Sequence, residues 1–430
     1  MKVFKFGGAS VKDAEAVRNV ATILKGYTND SIVVVISAMG KTTNALEQLT
    51  NSAFYSSEKQ VNTNTAENIL DEIKKFHFNI IEQLFPDRNH SIYNEINNAF
   101  VELDWAIEDE PTHDYNHEYD QIVSIGEIIS TKIVAAYLNE AGIACKWMDA
   151  RDFIQTDNTY REGNVDWGLT QELVTKNLSP ALSASTGAIV VTQGFIGGTS
   201  ENFTTTLGRE GSDYTAAIIA YTTNADDVTI WKDVPGVLNA DPKWFDATTK
   251  LEQVSYQDAI ELAYYGATVI HPKTIKPLQN KKIPLFVKSF LNPQDSGTVI
   301  NEIQSPLPLP CFIFKVNQVL LSISPKDFSF IVEENFSDIF KLFAEKQVKI
   351  NMMQNSAISF SVCIDHDSHK LPDLIHTLQN EYRVLYNENL ELITIRYYDP
   401  ETIDRVTKNK KILLEVKSRY TVQLVVQTVI

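Results

Sequence analysis

At 430 residues, with 43% hydrophobic and 22% charged residues, the chain is too long for one compact core and fits neither a disordered nor a collagen-like polypeptide. Its 38 Lys and Arg against 55 Asp and Glu leave a formal charge of −17, a field that repels polyphosphate backbones and argues against a nucleic-acid partner, although local cations and amides can still hold a small phosphorylated ligand. Cys145, Cys311 and Cys363 are too isolated for a disulfide framework or a zinc knuckle, so a reducing cytoplasm is the expected compartment. No basic-then-apolar leader follows Met1, and no uninterrupted apolar run nears the roughly 18 residues a membrane span needs, so no membrane association is expected.

In chain order, the strands expected first are 2–6 and 32–37 (IVVVIS), with a helix over 13–25 between them. Ala16, Val17, Val20, Ala21 and Leu24 recur there at helical spacing, which makes the opening a βαβ unit. Residues 58–108 read as a polar helical excursion, a lid over the sheet, followed by an acidic, irregular stretch through Asp120. Strands are expected at 188–193 and 228–231, with a helix over 213–221 feeding the latter. To about residue 300 the alternation specifies a mostly parallel sheet covered by helices. Pro306, Pro308 and Pro310 interrupt any helix and mark a boundary, dividing the chain into 1–304 and 305–430. Beyond it the order is βαββαβ: strand 319–324, helix 336–346, strands 348–354 and 358–364, helix 370–380 and strand 383–386. Strands near 391–397, 412–417 and 421–427 read as a second, shortened copy.

Four segments carry candidate chemistry. Lys5-Phe6-Gly7-Gly8-Ala9-Ser10 ends a strand ahead of a helix, where adjacent glycines let backbone amides approach an anion. Thr206 to Asp213 (TLGREGSD) opens a second helix with amides, a guanidinium, a hydroxyl and a carboxylate. Trp231 to Val237 (WKDVPGV) runs into the Asn239 to Lys243 turn. Gly40-Lys41-Thr42 imitates a P-loop, but Val35 stands where that motif requires glycine, so the reading fails. His113 and His117, four apart, would serve a metal only on a helix. Pro111 and its polar neighbours indicate a loop instead, so no metal site is assigned; His366 and His369 read as turn residues.

Taken together, KFGGASV at the start, SIGE at 124–127, TLGREGSDYTAA at 206–217, WKDVPGVLNADPK at 231–243 and ELAYYGATVIHPKT at 261–274 resemble the aspartokinases. The resemblance implies an α/β amino acid kinase fold followed by two small α+β ACT domains, the second shortened. It also implies ATP with its Mg²⁺ as phosphoryl donor, L-aspartate as acceptor, an amino-acid effector at the ACT pair and a homo-oligomer. Lys5 and Asp213 would be catalytic. Ser37, Thr43, Glu127, Arg209 and Ser212 would hold the acceptor, and Lys5, Gly7, Gly8, Ser10, Lys232, Asp233 and Lys243 the nucleotide. No homoserine dehydrogenase extension is expected after the ACT region.

Four positions depart from the family pattern: Ala9 where threonine is usual, Glu210 in place of a glycine, Thr268 in place of a lysine and Leu238 in place of an aromatic residue. Alternatives within reach are a kinase for another small acid such as glutamate, and a catalytically silent amino-acid sensor. In the first ACT domain, the loop 324–340 lacks glycine and Asn351 stands where a lysine-binding carboxylate is expected. Asn351, Gln354, Asn355 and Ser356 suit a neutral hydroxylated ligand, so threonine is the better effector candidate and lysine inhibition is expected to be weak.

Overall fold

Short apolar strands alternating with amphipathic helices build the first part of the molecule: β1 (Lys2–Phe6), α1 (Ala14–Leu24), β2 (Ile32–Ile36), α2 (Thr42–Phe54), α3 (Thr63–Leu84), α4 (Ser91–Glu108), α5 (Tyr115–Glu140), β3 (Cys145–Trp147), β4 (Ile189–Gln193), β5 (Ile196–Gly198), β6 (Thr204–Thr206), α6 (Gly211–Thr223), β7 (Asp227–Lys232), β8 (Gln253–Ser255), α7 (Tyr256–Tyr265), α8 (Pro272–Lys281), β9 (Leu285–Ser289) and β10 (Thr298–Asn301). The computed structural model describes residues 1–55, 63–108, 111–245, 247–267, 270–303, 309–327 and 329–429. One compact unit comprises Met1–Val237, Lys250–Ile260 and Val269–Gln304; the other comprises Leu238–Thr249, Glu261–Thr268 and Ser305–Ile430.

The first unit is organised by an eight-stranded sheet of order β3-β4-β2-β1-β7-β9-β10-β8. Every pairing is parallel except β9 with β10. β1 is buried on both faces, and its register sets Phe6 level with Ile36 of β2 and Trp231 of β7. Phe6 and Trp231 stack with ring centroids 5.8 Å apart and planes nearly parallel. The chain leaves β1 toward β2 on one side and later returns to β7 on the other. The C-terminal edge beside β1 is therefore the crevice where open α/β sheets bind ligands.

Two expectations for this unit are overturned. The helical excursion is no lid, because α3 and α4 bury Leu70, Ile73, Ile81, Ile96, Phe100 and Leu103 in the same core as β1 and β2. Of the stretch expected to stay irregular through Asp120, residues 115–120 are instead the start of α5. Asp114 caps it by accepting from the His117 N–H at 3.0 Å. α5 is also long and apolar enough to cross a membrane by length and composition, but 78% of its apolar window is buried inside the fold, the mark of a core helix. Scattered polar residues broke its sequence into runs too short to register.

In the second unit β11 (Cys311–Pro325), α9 (Glu333–Glu345), β12 (Ile350–Asn355), β13 (Phe360–Asp365), α10 (Lys370–Glu381), β14 (Tyr382–Arg396), α11 (Pro400–Thr407), β15 (Lys410–Lys417) and β16 (Thr421–Thr428) form one antiparallel six-stranded sheet of order β12-β13-β11-β14-β16-β15. The strands expected at 383–386 and 391–397 are a single strand of 15 residues, β14. Its first part pairs with the end of β11 and closes the βαββαβ module; its last residues pair with Cys311 to Lys315 at the start of β11 and with β16. The shortened copy thus gains a fourth strand from the start of β11. Separate cores underlie the two halves, one around Leu321, Phe343 and Leu374, the other around Phe312, Ile395 and Leu424.

Candidate active site

The C-terminal ends of β1, β2 and β4 release three turns side by side. Gly8 lies in the first, packed so closely on the second that a Cβ there would stand 2.7 Å from the Ala38 carbonyl oxygen and 2.8 Å from that of Gly40. The Gly40 N–H donates to the Gly8 carbonyl at 3.0 Å, so the segment that imitates a P-loop is a partner of the glycine turn. Ser10 is buried, 3.5 Å from the Trp231 carbonyl. Ala9, where a hydroxyl is missing, is exposed.

A cavity of about 580 Å³ opens beside these turns. It is lined by Lys5, Ser37, Thr43, Glu127, Arg209 and Ser212, so all five expected acceptor residues meet the expected catalytic lysine. Asp213 stands behind them, completely buried in the first turn of α6. Its Oδ1 lies 2.7 Å from the Lys5 Nζ and its Oδ2 3.5 Å from the Lys232 Nζ. Burial works to raise the Asp213 pKa, but the two ammonium groups outweigh it and hold the carboxyl below the usual range. Glu127, 2% exposed on α5, shows the opposite balance. Burial dominates and pushes its carboxyl up to about 8, against the pull of Lys5 and the Ala38 N–H, and its Oε2 has no hydrogen-bond partner among the described residues. A cation arriving at Glu127 would supply what that oxygen lacks.

Glu210, the residue in place of a glycine, sits at φ +55° at the N-cap of α6, in the left-handed region glycine favours. Its Oε2 is 4.0 Å from the Lys232 Nζ. Burial first, and the nearby Asp213 charge after Lys232 has opposed it, leave its carboxyl with a raised pKa.

The structure adds Tyr119, Arg161, Glu162, Phe195 and Thr206 to the cavity wall. Arg161 supplies a second guanidinium, lying 4.2 Å over the Tyr119 ring with Nη2 3.3 Å from Glu47. The buried Asp120 carboxylate holds the backbone on either side, accepting from the N–H groups of Arg161 and Thr206 at 2.8 Å each. A signal existed: Arg161-Glu162-Gly163 repeats Arg209-Glu210-Gly211. The turns carrying the two copies meet, since a Cβ on Gly208 would come within 3.1 Å of Glu162.

Other expected residues are not gathered here. Asp233 is exposed after β7, and Lys243 lies on an exposed turn of the second unit with Leu238. Thr268 lies outside the described residues. The four effector candidates are separated by environment. Asn351 is buried, accepting from Lys315 at 2.8 Å and donating to Gln318 at 2.9 Å and Asp365 at 3.0 Å. Gln354, Asn355 and Ser356 are exposed.

The amino acid kinase family model matches residues 1–289. The chain is 30% identical over 403 residues to lysine-sensitive aspartokinase 3 of Escherichia coli, covering 91% of this chain and 86% of that protein. It is 33% identical over 375 residues to the chloroplastic aspartokinase 1 of Arabidopsis thaliana, covering 84% of this chain and 63% of that protein. Among solved structures, Escherichia coli aspartokinase III in complex with aspartate and ADP matches with a TM-score of 0.83 at 28% identity, over 99% of this chain and 96% of that one. The same enzyme with lysine and aspartate gives 0.82 at 28% identity, over 99% and 95%. With an N-terminal unit that matches the family model and a C-terminal region of two modules following it in the chain, the protein belongs to the amino acid kinase family, among its aspartokinases.

Proposed function

We propose that the protein transfers the γ-phosphoryl group of ATP to the side-chain carboxylate of L-aspartate, giving 4-phospho-L-aspartate and ADP, the first step toward lysine, threonine and methionine. The observation that carries this reading is the buried Lys5–Asp213 pair, 2.7 Å apart, at a cavity that also holds Arg209 and Glu127. Donor and acceptor are both anions, so the protein's task is to neutralise charge and align them. Lys5, oriented by Asp213, stands where negative charge accumulates on the transferring group. Lys232 and the amides of the Gly7-Gly8 turn, with Ser10 anchoring it, suit a phosphate chain, and Asp233 and Lys243 are assigned to the nucleotide by family pattern. The Mg²⁺ carried by ATP supplies further neutralisation; the two lysines, the glycine turn and the Asp213 carboxylate are a donor set that fits a metal-nucleotide. Arg209 grips the α-carboxylate, Glu127 takes the ammonium, and Ser37, Thr43 and Ser212 fix the reacting carboxylate by hydrogen bonds. Its oxygen forms the new bond to phosphorus as the bond to the ADP oxygen breaks.

We assign this chemistry to residues 1–304 and an effector-responsive ACT pair to 305–430. The assembly is proposed to be a cytoplasmic homo-oligomer, since ACT sheets leave strand edges that need covering. The Escherichia coli neighbour was solved with lysine. Here Asn351 is neutral, which supports weak lysine inhibition, but its amide is already engaged, so threonine as the better effector candidate rests on the exposed Gln354, Asn355 and Ser356.

Coupled ADP release tests the function directly. Release with ATP and aspartate is expected, with glutamate a poor acceptor because its extra methylene misplaces the attacking oxygen. No release would indicate a silent sensor, and equal efficiency with glutamate a different acid kinase. Arg209→Lys should raise the aspartate KM about tenfold, because a point charge cannot replace the planar fork; an unchanged KM would remove Arg209 from the acceptor site.

A further inference from the structure

We propose that His113, His117 and Glu118 form a binding site for a divalent transition-metal ion of the zinc class at the start of α5. The loop expected around these histidines is replaced by helix from Tyr115 onward, which places His117 and Glu118 in its first turn and His113 just ahead of the capping Asp114. The imidazole rings of His113 and His117 stack with centroids 4.0 Å apart. The Glu118 Oε1 lies 3.5 Å from the His117 Nδ1 and 3.8 Å from the His113 Nδ1. One ligand atom from each of the three side chains lies within 4.8 Å of the others.

Two ligands each bonded to a tetrahedral zinc ion at about 2.0–2.1 Å stand roughly 3.3 Å apart. The two carboxylate-to-imidazole separations exceed this by only a few tenths of an ångström, while the stacked imidazoles require the half-exposed His113 ring to turn so that both point at one ion. His117 adds an independent indication. It is 5% exposed, its Nε2 has no hydrogen-bond partner among the described residues, and its Nδ1 has only the 3.5 Å approach to Glu118. A buried imidazole left in this state is costly unless something binds it. Phe203 and Tyr160 stand edge-on to its ring at 4.9 Å, closing the apolar side. His113 is half exposed and leaves an approach for the ion. Its Nδ1 meets the Thr112 hydroxyl at 2.9 Å, and its backbone N–H donates to the Glu118 Oε1 at 3.3 Å. These contacts hold the three groups in place, and the hydroxyl can rotate away.

Two imidazoles and a carboxylate suit zinc, with water as a fourth ligand. The role inferred is bracing, not catalysis: Tyr119, the next residue, lines the cavity, and Asp120 holds the turns carrying Arg161 and Thr206. The site does not depend on the kinase reading, and its test reads the metal directly. The full chain, stripped with chelator, is dialysed against Zn²⁺ and titrated with Co²⁺ while visible absorption is recorded. One equivalent of zinc per chain, a Co²⁺ spectrum of a low-coordinate nitrogen and oxygen site, and a zinc-dependent rise in melting temperature are expected. His113→Ala and Glu118→Gln should each weaken zinc binding at least about tenfold and abolish the thermal shift. Because His113 is exposed, His113→Ala should melt like the wild type without metal, which separates ligand loss from misfolding. Identical titrations for the wild type and both variants, or no stoichiometric binding by the wild type, would overturn the assignment.

Discussion

Two lysine-centred polar clusters, one in each unit, show how similar residues serve opposite ends. In the first unit Lys5 and Lys232 flank a wholly buried Asp213, and nearby the buried Glu127 keeps an oxygen with no partner among the described residues. That oxygen, beside an open cavity lined by Lys5 and Arg209, leaves bonding capacity for an incoming ligand. In the second unit Lys315, Asn351, Gln318 and Asp365 close on themselves through bonds of 2.8 to 3.0 Å. That network is satisfied as it stands and joins three neighbouring strands, β12, β13 and β11. Capacity left over marks a binding site; capacity used up marks a structural latch.

The sharpest way to break this contrast is Lys5→Ala. Removing the cation aimed at developing charge should lower kcat about 10²- to 10³-fold, roughly 3 to 4 kcal/mol of transition-state stabilisation. Lys232 still accompanies Asp213, so circular dichroism and melting should change little by comparison. Near wild-type ADP release by the purified variant would show that the cluster is not the reaction centre.

Glu127 sharpens the same side of the comparison through pH. Its folded-state pKa, about 8, lies above the value of an unfolded glutamate. Between those values the folded state binds the extra proton, so this carboxyl favours the fold at low pH, and that contribution is lost as pH rises through 8. The ligand-free wild type should therefore lose stability relative to Glu127→Gln from about pH 5 to 8, by at most about 1.4 kcal/mol per pH unit. Urea unfolding of both proteins across that range measures it, and parallel curves would mean Glu127 ionises normally. Aspartate should bind more tightly over the same rise, because only the ionised carboxylate pairs with its ammonium.

The latch predicts the reverse pattern for Asn351→Ala, a loss of stability without a loss of chemistry. The change leaves Lys315 and the buried Gln318 short of partners, which should cost about 1 to 3 kcal/mol in unfolding free energy. ADP release at saturating substrates should be unaffected. A variant of wild-type stability that has lost a threonine or lysine response would return Asn351 to the effector site.

These differences bear on what could be read from the chain before folding. The acceptor residues were legible through the family motifs that contain them, whether in turns like Ser37 and Arg209 or inside a helix like Glu127, and Lys5, Ser37, Glu127 and Arg209 do meet. Arg161 was not, because its approach depends on a positive φ of 68° and on Asp120 pinning two remote backbones. Strands β1, β2, β4 and β7 were legible as apolar runs. β3, β8 and β10 were not, being only three or four residues long and defined by their neighbours. His113 does lie ahead of the helix as expected, but His117 was taken for loop because Pro111 signals a break, while the Asp114 cap restarts a helix within three residues. Asn351 was read by type alone, and only the fold reveals that its amide is already engaged.

The smallest expected effect concerns Glu210, where backbone and charge point the same way. A non-glycine residue at φ +55° carries left-handed strain, partly offset because glycine would lose more entropy on folding, so Glu210→Gly should stabilise the protein by no more than about 1 kcal/mol. The same change removes a carboxylate 4.0 Å from Lys232 and so lessens the negative charge a phosphate chain would meet there. The ATP KM should fall a few-fold, with kcat nearly unchanged, since Lys5 and Asp213 keep their 2.7 Å pairing. A higher ATP KM in Glu210→Gly would mean that this carboxylate assists the metal-nucleotide instead of competing with it. Glu210 would then count with Glu127 among the groups that receive the ligand, and the open capacity that sets this cluster apart from the Lys315 latch would include it.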